Sequence, residues 1–452
     1  MTNLLAFSLF ARFIDPNLFG FYSSVVLVTG LLFLIIDFGL CEAVVKTETV
    51  KDENLVFVYS FGVSVALILS SLLFFGKDLI SQYLKIENSW LFAIVNSSII
   101  VLYSRSSLHL ALRRKDFKYS SILYITLVAT FASISCAFIL IEYNQFEYSL
   151  PAYAVTYHVV VTAWLLFNEK KIPIGRLNFS QNKSLFIYGR ERISTQLIFF
   201  AASRMPEFLI AFLFGPSALA VYVIGSRLYD ALMQLLCYSL VDVSHNIFSQ
   251  LSRSREQLTK YFIEIVKKSI RLSSPIFVFV ALNAKYFVII LFGSKWLGSV
   301  YVLQCLCFSA AIQVLDIFNV ALFNALGKTF LSLKITTCKL LALILMLVFF
   351  HASIDQIVSV FCFIQVISIA PNLLFVRAEM PEAMKTLSSI FLKTFASLTV
   401  ATVFTLIFDS YISIILNNNI FAIIGSAIVF FLFYFFVLLY FFKENVFSEL
   451  IK

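Results

Sequence analysis

Between Phe21 and Ile36 the chain carries no charge, so this run can lie as a helix in hydrocarbon. It sits inside residues 10–39, which read as the end of one apolar helix, a tight turn and a second apolar helix. Asp15-Pro16 marks the turn, because a residue that precedes proline avoids the helical region. Pro16 suits a first helical position, where its missing N–H costs nothing. The pattern returns 200 positions later: Ala11, Pro16 and Tyr22 correspond to Ala211, Pro216 and Tyr222, and Glu42 corresponds to Asp242. That spacing reads as an internal repeat. Two hundred residues hold about six spanning helices with short loops.

Of the 452 residues 61% are hydrophobic and 13% charged, about half the charge of a soluble domain. The expectation is an all-α polytopic membrane protein. Apolar runs mark about fourteen helices, at 1–14, 18–45, 54–76, 89–112, 119–142, 150–168, 186–214, 217–247, 263–292, 299–326, 328–350, 354–377, 386–408 and 418–442. The first is short: thirteen residues reach about 20 Å, against a hydrocarbon core of about 30 Å, so either the first helix is a stub or the true start lies upstream. No small-residue cleavage site precedes Asp15, which argues against a signal peptide. Cys41, Cys136, Cys237, Cys305, Cys307, Cys338 and Cys362 form no CxxC and read as small hydrophobes. His109, His158, His245 and His351 are scattered, which suggests no metal site, and no Walker A loop or dinucleotide fingerprint is present.

Alternate loops hold the cations: Lys46 and Lys51; Arg113, Arg114, Lys115 and Lys118; Lys170, Lys171, Arg176 and Lys183; Arg253, Arg255 and Lys260; Arg377 and Lys385; Lys443 and Lys452. The intervening loops hold only Lys77, Lys85 and Lys295. The positive-inside rule places the rich loops, and with them the C-terminus, in the cytoplasm. The polar, basic stretch 168–185 separates helices 1–6 from 7–12, and RAEMPEAMK at 377–385 sets off the last two. The expected organisation is a six-helix lobe over 1–183, a second over 184–383, and helices 13 and 14 in 384–452.

The seventh helix is the unusual one, with Arg190, Glu191, Arg192, Arg204 and Glu207, and Pro206 as a kink signal; the eighth carries Arg227 and Asp230. Counted from Gly215-Pro216, Arg204 and Arg227 each lie about 16 Å deep, Glu207 about 12 Å and Asp230 about 21 Å. All four fall near the midplane. Arg204 with Glu207, and Arg227 with Asp230, are spaced i, i+3 and share a helix face. Two readings fit charges at that depth: a polar cavity for a charged substrate, or two structural ion pairs locking helices together. Arg190, Arg192, Arg271, Lys285, Lys334 and Lys339 also fall within spans of the second lobe, against Asp316. Snorkelling accounts for Lys285 and Lys334 as well, so Arg204, Arg227 and Lys339 carry the weight. An excess of buried cations suits an anionic ligand such as a pyrophosphate. Arg105 and Asp37 are the first-lobe candidates, with Asp37 near the interface, and Pro275 in the ninth helix is the hinge candidate.

Three stretches resemble the polysaccharide (O-antigen) flippases of the multidrug/oligosaccharidyl-lipid/polysaccharide exporter superfamily: ARFIDPNLFGFY…IIDFGL, SRMPEFLIAFLFGPSALAVYVIGSRL and ILFGSKWLGSVYVLQ. Ala220 stands where that family usually has glycine, and Glu207 stands for an acid that commonly follows the arginine. The resemblance implies two six-helix bundles forming a V around a central cavity. It implies alternating-access transport of an oligosaccharide on undecaprenyl diphosphate across the inner membrane, without catalysis or cofactor. Arg204 and Arg227 would hold the diphosphate with help from Lys339 and Arg190, while Glu207, Asp230 or Asp316 would carry a coupling ion. The expected partners are the lipid-linked oligosaccharide and membrane lipids, with a glycan polymerase and a chain-length regulator as further candidates, and no nucleic acid. The alternatives are a multidrug or cation antiporter of the same superfamily, which calls for an anionic or aromatic cavity, and a polysaccharide polymerase, which needs a sizeable outer loop.

Overall fold

The computed structural model describes residues 2–47, 50–169, 172–415 and 419–442. Lys170, Lys171, Lys443 and Lys452, and the C-terminus assigned to the cytoplasm, lie outside the described residues. Among the described residues twelve helices are long and apolar enough to cross a membrane, or thirteen if one bent pair counts as a span. The chain is therefore a multi-pass, all-α membrane protein. Its outward surface is greasy: Phe75 is 91% exposed, and Ile68, Leu72, Leu341, Leu345 and Val348 are exposed too. Such a surface suits lipid and would be a liability in water.

The chain forms two compact units, Met1–Val223 and Ile224–Lys452. The first contains α1 (Thr2–Phe13), α2 (Pro16–Asp37), α3 (Leu40–Lys46), α4 (Asp52–Leu84), α5 (Ser89–Lys115), α6 (Tyr119–Glu142), α7 (Phe146–Asn168) and α8 (Lys183–Phe214). Helix α9 (Pro216–Met233) contains the division. As expected, Asp15 is extended (φ −69°, ψ 153°) and Pro16 opens α2. The span expected at 18–45 is broken, because Phe38 and Gly39 are both left-handed (φ 47° and 71°). Helix α2 stops there, with the Phe38 N–H bonded to the Leu34 carbonyl, and α3 starts afresh. Polar side chains inside α2 are satisfied by their own helix: Ser23, Ser24 and Thr29 donate to the carbonyls of Phe19, Gly20 and Val25. One core cluster gathers Leu40, Cys41 and Val44 of α3, Phe57 and Tyr59 of α4, Leu108 of α5 and Leu185 of α8. Helix α8 thus packs with the first unit, against α2 and α3. Contacts at that end also join the loops that carry the cations: Arg113 to Glu169 (2.6 Å), Lys115 to the Thr47 carbonyl (2.5 Å) and Asn54 to Asn182 (3.1 Å).

The second unit continues through a π-helical turn at Gln234–Tyr238 into α10 (Ser239–Leu251). Then come α11 (Arg255–Leu282), α12 (Ala284–Leu291), α13 (Val300–Gln313), α14 (Asn319–Ala325), α15 (Thr329–Phe349), α16 (Ile354–Ile367), α17 (Ile369–Glu379), α18 (Pro381–Ile415) and α19 (Asn419–Phe436). Pro275, the hinge candidate, lies inside an uninterrupted α11. The bend comes eight residues later, where α11 and α12 meet at 78° around Asn283. Asn283 is fully buried and its side chain donates back to the Phe279 carbonyl at the end of α11 (3.2 Å), so the break falls at a buried amide and not at the proline. Pro206 is likewise carried inside a continuous α8. Helices α18 and α19 pack on each other and on α11. The Tyr434 hydroxyl of α19 donates to the Arg271 carbonyl (3.0 Å), and Phe279 meets Phe430 and Phe431 at 5.7 and 5.5 Å. The Gly293–Trp296 segment of the third resembling stretch buries Trp296 completely, with Gly293 in the left-handed region (φ 101°).

Candidate functional site

Within the first unit, Arg204 lies about 16 Å along α8 from the Gly215 end. Its guanidinium makes an ion pair with Glu207, one turn on. The two differ in burial: the Glu207 side chain is 11% exposed and that of Arg204 46%. A buried carboxylate so placed orients a guanidinium that keeps much of its surface accessible. Arg190 is exposed near the start of the same helix, about 21 Å from Arg204 at the helical rise. Its neighbour Arg192 is engaged by Glu42 of α3, which also faces Lys46 (3.7 Å) and the Tyr188 hydroxyl (3.5 Å). That cluster fastens the beginning of α8 to the α2–α3 turn.

Within the second unit, Arg227 is half-buried on α9 and Asp230, three positions on, is exposed. Asp316 lies in the turn between α13 and α14. Its carboxylate accepts from the Asn319 amide (2.6 Å) and from the Asn372 amide of α17 (2.8 Å). Lys339 of α15 donates to the Gln365 side chain of α16. Asp316 and Lys339 are close enough for their charges to act on each other. The expected residues therefore gather into an Arg204–Glu207 pair in one unit and an Asp316–Lys339 grouping in the other, with Arg227 and Asp230 on α9.

Sequence reasoning passed over Asn319, Asn372 and Gln365, which complete the second grouping. Their signal was present: amides inside apolar runs need partners when buried. It passed over Glu42 as a partner of Arg192 as well, and nothing local announces a contact across 150 residues. Chemically, half-exposed guanidinium and ammonium groups at membrane depth can donate to phosphate oxygens, the guanidinium bidentately.

Comparison with known proteins gives the setting. Two curated bacterial relatives are similar in sequence: the teichuronic acid biosynthesis protein TuaB of Bacillus subtilis, 18% identical over 66% of this chain, and the lipopolysaccharide biosynthesis protein WzxC of Escherichia coli, 21% identical over 67%. The matched region spans 62% of the length of each. Among solved structures the chain resembles the lipid II flippase MurJ in an inward closed conformation, with a TM-score of 0.75 at 14% identity over 100% of this chain and 97% of that one. It also resembles an inward-facing multidrug transporter of the MATE family, with a TM-score of 0.65 at 13% identity over 85% and 96%. At these identities the two structures establish the fold. The model of the polysaccharide biosynthesis protein family matches residues 9–301, well over half of the chain, and the protein belongs to that family.

Proposed function

We propose that the protein carries a lipid-linked oligosaccharide, borne on undecaprenyl diphosphate, from the inner to the outer face of a bacterial inner membrane by alternating access. The observation that carries this reading is Arg204: a guanidinium about halfway through a span, oriented by the buried Glu207 and 46% exposed. A diphosphate is an anionic group whose oxygens match a guanidinium fork. Arg227 and Lys339 would add donors from the second unit, Arg190 would assist at the entry, and Glu207, Asp230 or Asp316 would hold a coupling proton or cation. The six-helix lobes 1–183 and 184–383 would be the moving bodies around a central cavity, with 384–452 appended. The basic loops and the C-terminus would face the cytoplasm. The protein would act as a transporter rather than an enzyme, and a glycan polymerase and chain-length regulator would receive its cargo. The names of two similar proteins support the reading, a lipopolysaccharide biosynthesis protein and a lipid II flippase.

The test is the double substitution Arg204→Ala/Arg227→Ala. The sugar-lipid should accumulate on the cytoplasmic leaflet while protein level is unchanged. Normal surface polysaccharide in that strain would overturn the assignment. A drug or cation antiporter on the same fold would instead change multidrug sensitivity on deletion, and cations at membrane depth argue against a cationic cargo.

A further inference from the structure

Helix α4 ends and α5 begins around a cavity of about 410 Å³, lined by Asp78, Ser81, Gln82, Lys85, Glu87 and Ser89. That volume falls within the range of small-molecule sites, about 300–1,000 Å³. The turn that shapes it is braced on several sides. Lys85 is left-handed (φ 55°), and the Ile86 N–H closes α4 by donating to the Ser81 carbonyl (2.8 Å). The Lys85 ammonium donates to the Leu213 carbonyl of α8 (2.6 Å), and the Asn88 amide donates to Glu147 of α7 (3.0 Å). Ser89 donates to Asp78 (2.9 Å), which also pairs with Lys77 (2.6 Å). A turn fastened to α7 and α8 is already ordered, which lowers the cost of binding there.

The chemistry of the lining narrows the ligand. Two carboxylates, Asp78 and Glu87, disfavour an anion. Among the described residues no group of three or more His, Cys, Asp or Glu side chains could hold a metal ion. A lipid chain gains nothing from a wall of carboxylates, amide, ammonium and hydroxyls. An uncharged molecule rich in hydroxyls suits it, because each hydroxyl can donate to a carboxylate and accept from an amide or ammonium. Ser81 is an independent sign. It is 5% exposed, and its hydroxyl has no hydrogen-bond partner among the described residues. Ser71, earlier in the same helix, donates to the Leu67 carbonyl (3.0 Å). A buried hydroxyl without a partner is costly, and a ligand hydroxyl at the cavity floor would satisfy it. Two exposed rings adjoin the lining: Tyr83, next to Gln82, and Trp90, next to Ser89. Tyr83 is held by stacking on Phe212 of α8 (5.7 Å), and Trp90 by Lys77 lying over its ring (4.4 Å). Aromatic residues alone would mark only a membrane surface, but here they rim a polar cavity.

We propose that this cavity binds an uncharged sugar, the glycan portion of the transported lipid. It lies by Leu213 of α8, nine residues from Arg204, or about 14 Å along the helix. One helix thus runs between a guanidinium suited to a diphosphate and a cavity suited to sugar hydroxyls. The cation-poor loops mark this end as the outer one, where the glycan emerges. Equating the sugar with the cargo's glycan rests on the transport reading; affinity for an uncharged sugar does not.

Saturation-transfer NMR on full-length protein in lipid nanodiscs tests this, with glucose, galactose, N-acetylglucosamine and glucuronic acid as separate probes. At least one uncharged sugar should bind, and more tightly than glucuronic acid. Gln82 and Glu87 are exposed, so Gln82→Ala/Glu87→Ala leaves the fold intact. It should weaken binding roughly tenfold or more, while Phe75→Ala, on the lipid-facing surface, leaves it unchanged. Failure of every uncharged sugar to bind, undiminished binding in the double variant, or preference for glucuronic acid would each overturn the site. Flipping of a polyprenyl-diphosphate oligosaccharide is measured separately in liposomes. Flipping without sugar binding removes the site and leaves the transport reading standing. Sugar binding that depends on Gln82 and Glu87, without flipping, removes that cargo and leaves the site.

Discussion

Ser217 hydrogen-bonds to Asn17 across 200 residues of chain. Each stands immediately after the proline that opens its helix, Pro16 and Pro216, so the two copies of the repeated turn meet each other. The repeat seen in the sequence is therefore a spatial pairing as well as a textual one. The bond itself is exposed, and its contribution is small. In a double-mutant cycle with Asn17→Ala and Ser217→Ala, the coupling energy should be about 0.5–1 kcal/mol by thermal unfolding in lipid. A coupling of several kcal/mol would contradict the exposed setting of this hydrogen bond.

Arg204 and Glu207 should separate in their consequences. Arg204→Ala should lower transport more than tenfold, on the order of 1.4 kcal/mol or more of lost recognition. Arg204→Lys should recover some of it, because an ammonium keeps the charge and loses the bidentate fork. Glu207→Gln keeps a hydrogen-bond acceptor for the guanidinium and should cost less than Arg204→Ala. Equal losses in all three variants, with lowered melting temperatures, would reassign the pair to structure.

Asp316 is held by two amides from different elements, Asn319 and Asn372. Asp316→Asn keeps the shape and removes the charge. If Asp316 carries the coupling ion, this variant should lose gradient-driven transport in vesicles while its thermal stability changes little. Asn372→Ala, which removes one of the donors to the carboxylate, should destabilise by about 1–3 kcal/mol. Intact gradient dependence in Asp316→Asn would take Asp316 out of the coupling role.

Trp296 is fully buried, and its backbone N–H is bonded to the Gly293 carbonyl (3.2 Å). Trp296→Ala should cost about 3–5 kcal/mol and show as low yield and a lowered melting temperature. Gly293→Ala should destabilise more mildly, because its φ of 101° is strained for any side chain while no atom stands in the way of a Cβ. Wild-type stability in Trp296→Ala would contradict the complete burial of this side chain.

The ion pair between Glu42 and Arg192 joins partly exposed groups, so its strength is that of a surface pair. Glu42→Ala should lower stability by less than about 1 kcal/mol and leave the fold intact. The charge-swapped pair Glu42→Arg/Arg192→Glu should regain only part of that loss in a thermal melt, because Lys46 then faces a like charge. If Glu42→Ala alone prevents insertion of the protein, the pair belongs to the folding process.

The amino-acid order by itself determined the membrane class, the approximate spans, the proline-opened turns at Pro16 and Pro216, and the depth of Arg204. These are local quantities: apolar length matches bilayer thickness, proline restricts its predecessor, and depth follows from a fixed rise per residue. Even Glu207 as the partner of Arg204 was legible, because i, i+3 spacing needs no knowledge of the rest of the chain. Only the tertiary structure decided that the chain bends at Asn283 and not at Pro275, that Asn372 reaches Asp316 across 56 residues, that Glu42 takes Arg192, and that Gly20 and Gly189 lie against the backbone carbonyls of Pro216 and Phe38. Contacts between distant segments depend on which helix faces come together, and a glycine in the sequence looks the same whether it meets lipid or a carbonyl oxygen.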